Sequence, residues 1–247
     1  MTRICIFGAG AIGGYLAAAL DNAGAAVSLV ARGPHLEAIL KNGLTFEKDG
    51  VTSSHHLPAT RDPADLGPQD VVFLAVKAHG IPTIIDSLKL LLHDDTIIVP
   101  AVNGLPWWYF HGAGTGTALD EQPLLAVDPD RRIWDEIGPQ RAIGCVVYPA
   151  CEIAAPGHVR HLDGDRFSLG EPSGERTDRI RDLSALMIAG DLKAPVRPRI
   201  RDEIWIKLWG NCSFNPVSAL TGATLDEIGN DPSSRQLIKD IMTEVQA

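Results

Sequence analysis

The chain has 247 residues, 45% of them hydrophobic and 21% charged, with a formal net charge of −9. That is the composition of a globular enzyme built as one large domain or two smaller ones. The acidic balance and the lack of a basic cluster exclude nucleic acid and an anionic membrane surface as partners, and no run is long and apolar enough to span a bilayer.

The first thirty-two residues carry the strongest signal. The apolar run Ile4-Cys5-Ile6-Phe7 fits a buried parallel strand. It leads into Gly8-Ala9-Gly10-Ala11-Ile12-Gly13, a G-x-G-x-x-G turn that opens a helix of small residues. In such a turn Gly8 allows the tight bend, Gly10 lets a pyrophosphate approach the backbone, and Gly13 lets the helix pack close to the strand. The N–H groups at the helix start then face the phosphates. The helix is expected over Ala11 to Ala23 with Gly24 as its C-terminal cap, followed by a second strand, Val27 to Ala31. Arg32 stands 19 residues after Gly13. There the carboxylate that reads an NAD ribose is expected, and a guanidinium suits a 2′-phosphate instead. The predicted cofactor is NADP(H).

Further along, Gly43 to His56 reads as a hairpin around Asp49-Gly50. Asp70 to Val76 and Thr96 to Ala101 read as buried strands, with helical spacing over Pro82 to Leu92 between them. Strands alternating with helices imply a parallel doubly wound sheet. Trp107 to Arg141 reads as an irregular excursion whose aromatics line a substrate pocket, pack on the protein itself or form a subunit contact. Ala142 to Ala150, His158 to His161 and Arg166 to Leu169 follow as strands. Next come a turn-rich Glu171 to Glu175, a helix over Arg179 to Ala189 and a short strand, Ala194 to Pro198. From Ile200 onward the pattern is helical. The fold class is therefore α/β, with a Rossmann-type domain over residues 1–199 and an all-helical part over 200–247.

Cysteines 5, 145, 151 and 212 show neither framework nor metal spacing, so a reduced, cytoplasmic setting is the default. Arg3, the apolar stretch and Ala17-Ala18-Ala19 sketch a signal peptide, but the glycines at 8, 10, 13 and 14 suit a nucleotide turn better. His55-His56 and His158 with His161 lack partners at metal-ligand spacing and read as surface polars, so no metal is expected.

Asp202 to Asn215 is apolar on most sides, which predicts a mostly buried helix. Glu203, Lys207, Asn211 and Asn215 recur at steps of four and form one slanting stripe. Such a row lines a polar cleft or faces bulk water, with the cleft favoured because asparagines are poor helix formers. Glu203 and Lys207 also suit a plain i,i+4 ion pair. Asn215-Pro216 is expected to end or kink the helix. Lys77 and Asn103 each follow a strand, at the carboxyl edge where open α/β sheets bind ligands.

These residues together resemble the ketopantoate reductase (2-dehydropantoate 2-reductase) family. The likeness rests on Gly8 to Gly13, Val30-Ala31-Arg32, Val76-Lys77-Ala78, Val102-Asn103-Gly104, and Ile204 to Leu208 through Asn211 to Asn215-Pro216. It implies NADPH-dependent reduction of a 2-oxo acid, ketopantoate or a related compound, to the 2-hydroxy acid, on the route to pantothenate. It also implies Lys207 as the catalytic general acid and Asn103, Asn211 and Asn215 as substrate-binding residues. Gly8, Ala9, Gly10, Ala11, Ile12, Gly13, Arg32, Lys77 and Asn103 would hold the cofactor. The family pattern places another asparagine near Thr224 or Leu225, where this chain has none. It also adds helices carrying a serine and a glutamate, whereas Arg235 to Val245 is a helical pattern close to Ala247. The helical part is therefore expected to be incomplete. An opine-type or other oxo-acid dehydrogenase and a non-catalytic NADPH-binding sensor or scaffold stay open, as does a homodimer.

Overall fold

The computed structural model describes residues 1–246. They form two compact units, Met1–Ile200 and the residues from Arg201 on.

The first unit is built on β1 (Arg3–Phe7), whose Ile4, Cys5 and Ile6 are fully buried. It pairs in parallel with β2 (Ala26–Val30) on one side and β6 (Val71–Leu74) on the other, so that Ile4 faces both Val27 and Val71. The strand β7 (Ile97–Pro100) and the two-residue β5 (Ala59–Thr60) complete a five-stranded parallel sheet of order β5-β2-β1-β6-β7. A parallel sheet of this kind is covered on both faces, which explains the unbroken apolar runs.

Helix α1 (Ala11–Asn22) follows β1 with almost no polar face, and it is buried on most sides. Its cap falls where the sequence places it, with Ala23 closing the last turn and Gly24 at φ +80°. A second sheet accounts for its outer face. β3 (Leu44–Lys48) and β4 (Val51–His55) form the expected hairpin, with Asp49 and Gly50 both at positive φ. Beside them lie β9 (Ala150–Ala155) and β10 (His158–Asp163), giving the order β4-β3-β10-β9. Tyr15 of α1 stacks on Phe46 of β3 at 5.0 Å, and Gly14 leaves room for Val159 of β10. Helix α2 (Gly33–Asn42) lies between the two sheets in sequence. A further pair, β8 (Gly144–Val147) and β11 (Phe167–Gly170), precedes α4 (Asp178–Ala189).

Several expectations need correction. The helical spacing over Pro82 to Leu92 resolves into a 3₁₀ segment, Ala78–Ile84, and the short α3 (Ile85–Lys89). Pro82, which lacks an N–H, sits inside the 3₁₀ part. Ala194 to Pro198 forms no strand. Val196 makes a single bridge to Leu169, and the flanking Pro195 and Pro198 cannot donate to a ladder. His55 is buried rather than at the surface. Its Nδ1 lies 2.6 Å from Asp21 of α1 and its Nε2 2.9 Å from the Ser53 hydroxyl, tying β4 to α1.

The excursion from Trp107 is irregular down to a π-helical turn, Ile133–Ile137. Trp107 and Trp108 are buried, so these rings pack within the protein's own interior. Buried Asp128 accepts the Ile133 and Trp134 N–H groups at 3.1 and 2.8 Å, starting the π-helical turn.

The second unit holds α5 (Ile200–Thr221), α6 (Leu225–Asn230) and α7 (Pro232–Gln246). α5 runs through Pro216 instead of ending at Asn215. Val217 is buried with Ile228 and Ile238, which holds the turns beyond the proline. Nor is Asp202 to Asn215 mostly buried, since Ile206 is 65% exposed and Trp205 and Trp209 are each 38% exposed. Its apolar residues outnumber those the small cluster around Val217 takes in.

Candidate active site

The carboxyl ends of four adjacent parallel strands carry the predicted residues of the first unit. β1 ends at Gly8, β2 leads to Arg32, β6 to Lys77 and β7 to Asn103. Since order and direction are set by the sheet, these four points share one edge.

The glycines of the turn do different things. Gly8 has φ +104°, and its N–H donates to the Val30 carbonyl at 2.9 Å, as does that of Ala9 at 3.2 Å. A β-carbon at Gly8 would also press on Ala75 and Val76 at about 3 Å, where β6 ends. A β-carbon at Gly13 would stand 2.0 Å from the Gly8 carbonyl oxygen and 3.0 Å from the Ile6 side chain. At Gly10 it would meet no atom within 4 Å beyond the adjoining residues of the chain. The turn is thus closed on the strand side and open at Gly10. Gly10 is the N-cap of α1, and no side chain caps that helix start. The first N–H groups of a helix have no intrahelical partner and carry its positive end. Donors, positive potential and open room are what a pyrophosphate requires, so the turn fits a dinucleotide.

Arg32 is the exposed N-cap of α2 and makes no ion pair among the described residues. Lys77 is exposed at the start of the 3₁₀ segment. Asn103 is exposed before Gly104, whose φ of +95° turns the chain into the excursion.

A histidine in the first turn of α2 is not signalled by the sequence. Burial holds the imidazole of His35 below the ordinary histidine range, outweighing the backbone of Ala9, which acts in the opposite sense. Its Nδ1 accepts the Gly157 N–H at 3.0 Å.

Lys207, Asn211 and Asn215 belong to the second unit, on α5 at steps of four with Glu203. Glu203, Lys207 and Asn211 are half-buried and Asn215 is exposed. Thr224, near which the family pattern expects an asparagine, has a helix-starting role here. Its hydroxyl accepts the Glu227 N–H at 3.3 Å, and the Glu227 carboxylate accepts the Thr224 N–H at 2.7 Å. The histidines read as surface polars serve as local partners, His158 to Glu47 and His161 to the Gly164 carbonyl. No group of three or more His, Cys, Asp or Glu among the described residues is placed to hold a metal ion. No described helix is long and apolar enough to cross a membrane.

A parallel sheet with a glycine turn at its central strand, joined to a helical second unit, defines a Rossmann-type oxidoreductase. Family models narrow the class. Residues 4–174 match the model for ketopantoate reductase PanE/ApbA, and residues 199–247 match that for its C-terminal part. The chain belongs to the ketopantoate reductase family.

A 2-dehydropantoate 2-reductase of Mesorhizobium japonicum is 55% identical over 99% of this chain and 75% of its own length. A crystal structure from Ralstonia solanacearum, provisionally named a ketopantoate reductase, superposes with a TM-score of 0.93 at 44% identity, covering 99% of this chain and 75% of that one. A D-mandelate dehydrogenase in complex with NADH and anilino(oxo)acetate gives a TM-score of 0.82 at 17% identity, covering 98% of this chain and 72% of that one; at that identity the likeness is one of fold. The chain spans about three quarters of the length of these relatives.

Proposed function

We propose that this protein reduces a 2-oxo acid, ketopantoate or a close relative, to the 2-hydroxy acid with NADPH. The observation that carries the reading is the carboxyl edge of the first sheet. It sets an open, uncapped helix start at Gly10 beside an exposed arginine, a lysine and an asparagine on neighbouring strand ends. The 55% identity to a 2-dehydropantoate 2-reductase supports the substrate class.

Gly8 to Gly13 would hold the pyrophosphate through backbone N–H groups, and Arg32 the 2′-phosphate through paired charge-assisted bonds. Arginine in place of an acidic residue favours NADP(H) over NAD(H). Lys77 and Asn103 lie at strand ends toward which the nicotinamide half would extend. When bound, the cofactor supplies a hydride to the carbonyl carbon. The charge that develops on the carbonyl oxygen needs a proton, and Lys207 as an ammonium delivers it, yielding the hydroxyl. General-acid help of this kind is typically worth about 10²–10⁴-fold. Asn103 of the first unit and Asn211 and Asn215 of the second would each offer the 2-oxo acid amide donors and acceptors.

The test is NADPH oxidation against a panel of 2-oxo acids. Consumption that depends on the oxo acid, with ketopantoate or a branched relative best, is expected. Tight NADPH binding without consumption for any of them would instead mark a sensor or scaffold.

A further inference from the structure

Away from the strand ends, a carboxylate, an imidazole and a hydroxyl of the first unit stand in a row. His55 Nδ1 lies 2.6 Å from the Asp21 carboxylate of α1, and His55 Nε2 lies 2.9 Å from the Ser53 hydroxyl. An ionised carboxylate has no hydrogen to give, so Nδ1 is the donor of the first contact. In the neutral ring Nε2 is then an acceptor. The single Ser53 hydrogen has two acceptors near it, Nε2 at 2.9 Å and the Phe46 carbonyl at 3.4 Å. The second is beyond the ordinary range for a hydroxyl, so the hydrogen goes to Nε2.

The strand explains the placement. Ser53 and His55 are two residues apart on β4, so their side chains share the face that reaches α1, while Thr52 and Ser54 point the other way. β4 is the outermost strand of its sheet and pairs with β3 alone. His55 is buried and held from both ends, whereas Ser53, on the open edge, is half-buried. A serine hydroxyl on a histidine, with that histidine oriented by a carboxylate, is the arrangement that activates serine as a nucleophile.

We propose that Ser53 is a site of covalent acylation by carboxylic esters or thioesters, with His55 as its base and Asp21 orienting the ring. Ser53 Oγ bonds to the acyl carbon as its proton passes to His55 Nε2. The bond from that carbon to the ester oxygen or thioester sulfur then breaks, and the leaving group takes the proton from Nε2. Asp21 keeps the Nδ1 hydrogen and offsets the charge on the ring while Nε2 holds the proton. The products are an O-acyl Ser53 and a free alcohol or thiol, with no change of oxidation state. The inference owes nothing to the reading of the cofactor edge.

The probe is p-nitrophenyl acetate, and the acetyl group is located by mass spectrometry of the digested chain. Ser54, exposed next door on the opposite face, is the internal control. In the folded protein Ser53 should be acetylated at least tenfold faster than Ser54, and in the urea-unfolded chain the two should react alike. Asp21→Asn presents an amide that can give a hydrogen to Nδ1, which puts the ring hydrogen on the nitrogen facing Ser53. It should slow Ser53 at least tenfold. His55→Gln removes the base and should slow it about 10²-fold. A thermal melt accompanies each variant. A purely structural tie between β4 and α1 would move the melting temperature and leave Ser53 no faster than Ser54. The inference is overturned by that result, by an absence of acetyl on Ser53, by a preference for Ser53 that survives unfolding, or by variants that are acetylated at Ser53 as fast as the unmodified protein. If His55→Gln does not fold, Asp21→Asn decides alone, its side chain being 37% exposed.

Discussion

A β-carbon on Gly13 would stand 2.0 Å from the carbonyl oxygen of Gly8, closer than any non-bonded contact allows. The two glycines, five residues apart, lock the first strand against the first helix. The contact leaves Gly10 between them as the one position of the three with open space. A paired substitution reads this division. Gly13→Ala should lower the melting temperature and abolish NADPH binding together, because the helix start must move. Gly10→Ala should melt near the unmodified protein yet bind NADPH at least tenfold more weakly, since its methyl enters the open space proposed for the pyrophosphate. Equal melting temperatures for all three proteins would contradict the assignment of Gly13.

On the proposed reading, Arg32 would set cofactor choice. A hydrogen bond to a charged group is worth roughly 1.5–3 kcal/mol, so Arg32→Ala should weaken NADPH by about tenfold to a hundredfold and leave NADH unchanged. Fluorescence titration with both cofactors checks this, and equal losses would remove Arg32 from the 2′-phosphate.

Lys207 is expected to act on turnover rather than on cofactor binding. Lys207→Ala should cut kcat by about 10²–10⁴-fold while Kd for NADPH stays within about twofold. Near-normal kcat would take the lysine out of the chemistry.

The first unit also depends on a buried charge pair. Glu171 is 2% exposed and receives Arg179 Nε at 2.8 Å, while Arg179 also donates to the carbonyls of Gln140 and Ala142. Removing one partner of a buried pair leaves the other uncompensated. Glu171→Ala should cost about 3 kcal/mol of unfolding free energy, the low end of the range because Arg179 is partly exposed. Denaturant titration measures it.

Burial pushes the thiols of Cys5 and Cys151 up to about 12. At pH 8 only about one in 10⁴ of either is thiolate, so both should resist alkylation in the folded protein and react once it unfolds. The sign for stability follows. Above an ordinary thiol pKa the unfolded chain loses these protons and the folded one keeps them, so stability present below about pH 9 should decline as pH rises toward 12. Mass spectrometry after alkylation, native and denatured, reads the first part.

What could be read from the sequence was local. The apolar runs of β1 and β2, the glycine turn and the Asp49-Gly50 hairpin are each specified by residues adjacent in the chain. The second sheet was not readable as a unit, because Thr45 pairs with His158 across more than a hundred residues and no short-range pattern encodes that partner. β9 was missed beyond Ala150 since its exposed residues lack a clean alternation. Trp107 and Trp108 could not be placed, because an aromatic pair in an irregular segment suits a pocket and an interior equally. At the site, Gly8, Gly10, Gly13, Arg32, Lys77 and Asn103 follow from strand ends, which sequence marks well.

The most direct test of the account is the fate of the hydride. NADPH deuterated at both C4 positions is incubated with ketopantoate, and the product is examined by mass spectrometry and NMR. The account predicts a 2-hydroxy acid carrying one deuterium on its second carbon, in amounts equal to the NADPH consumed and strongly reduced in Lys207→Ala. Product without deuterium at that carbon, or bound NADPH that is never consumed by any 2-oxo acid, would contradict it.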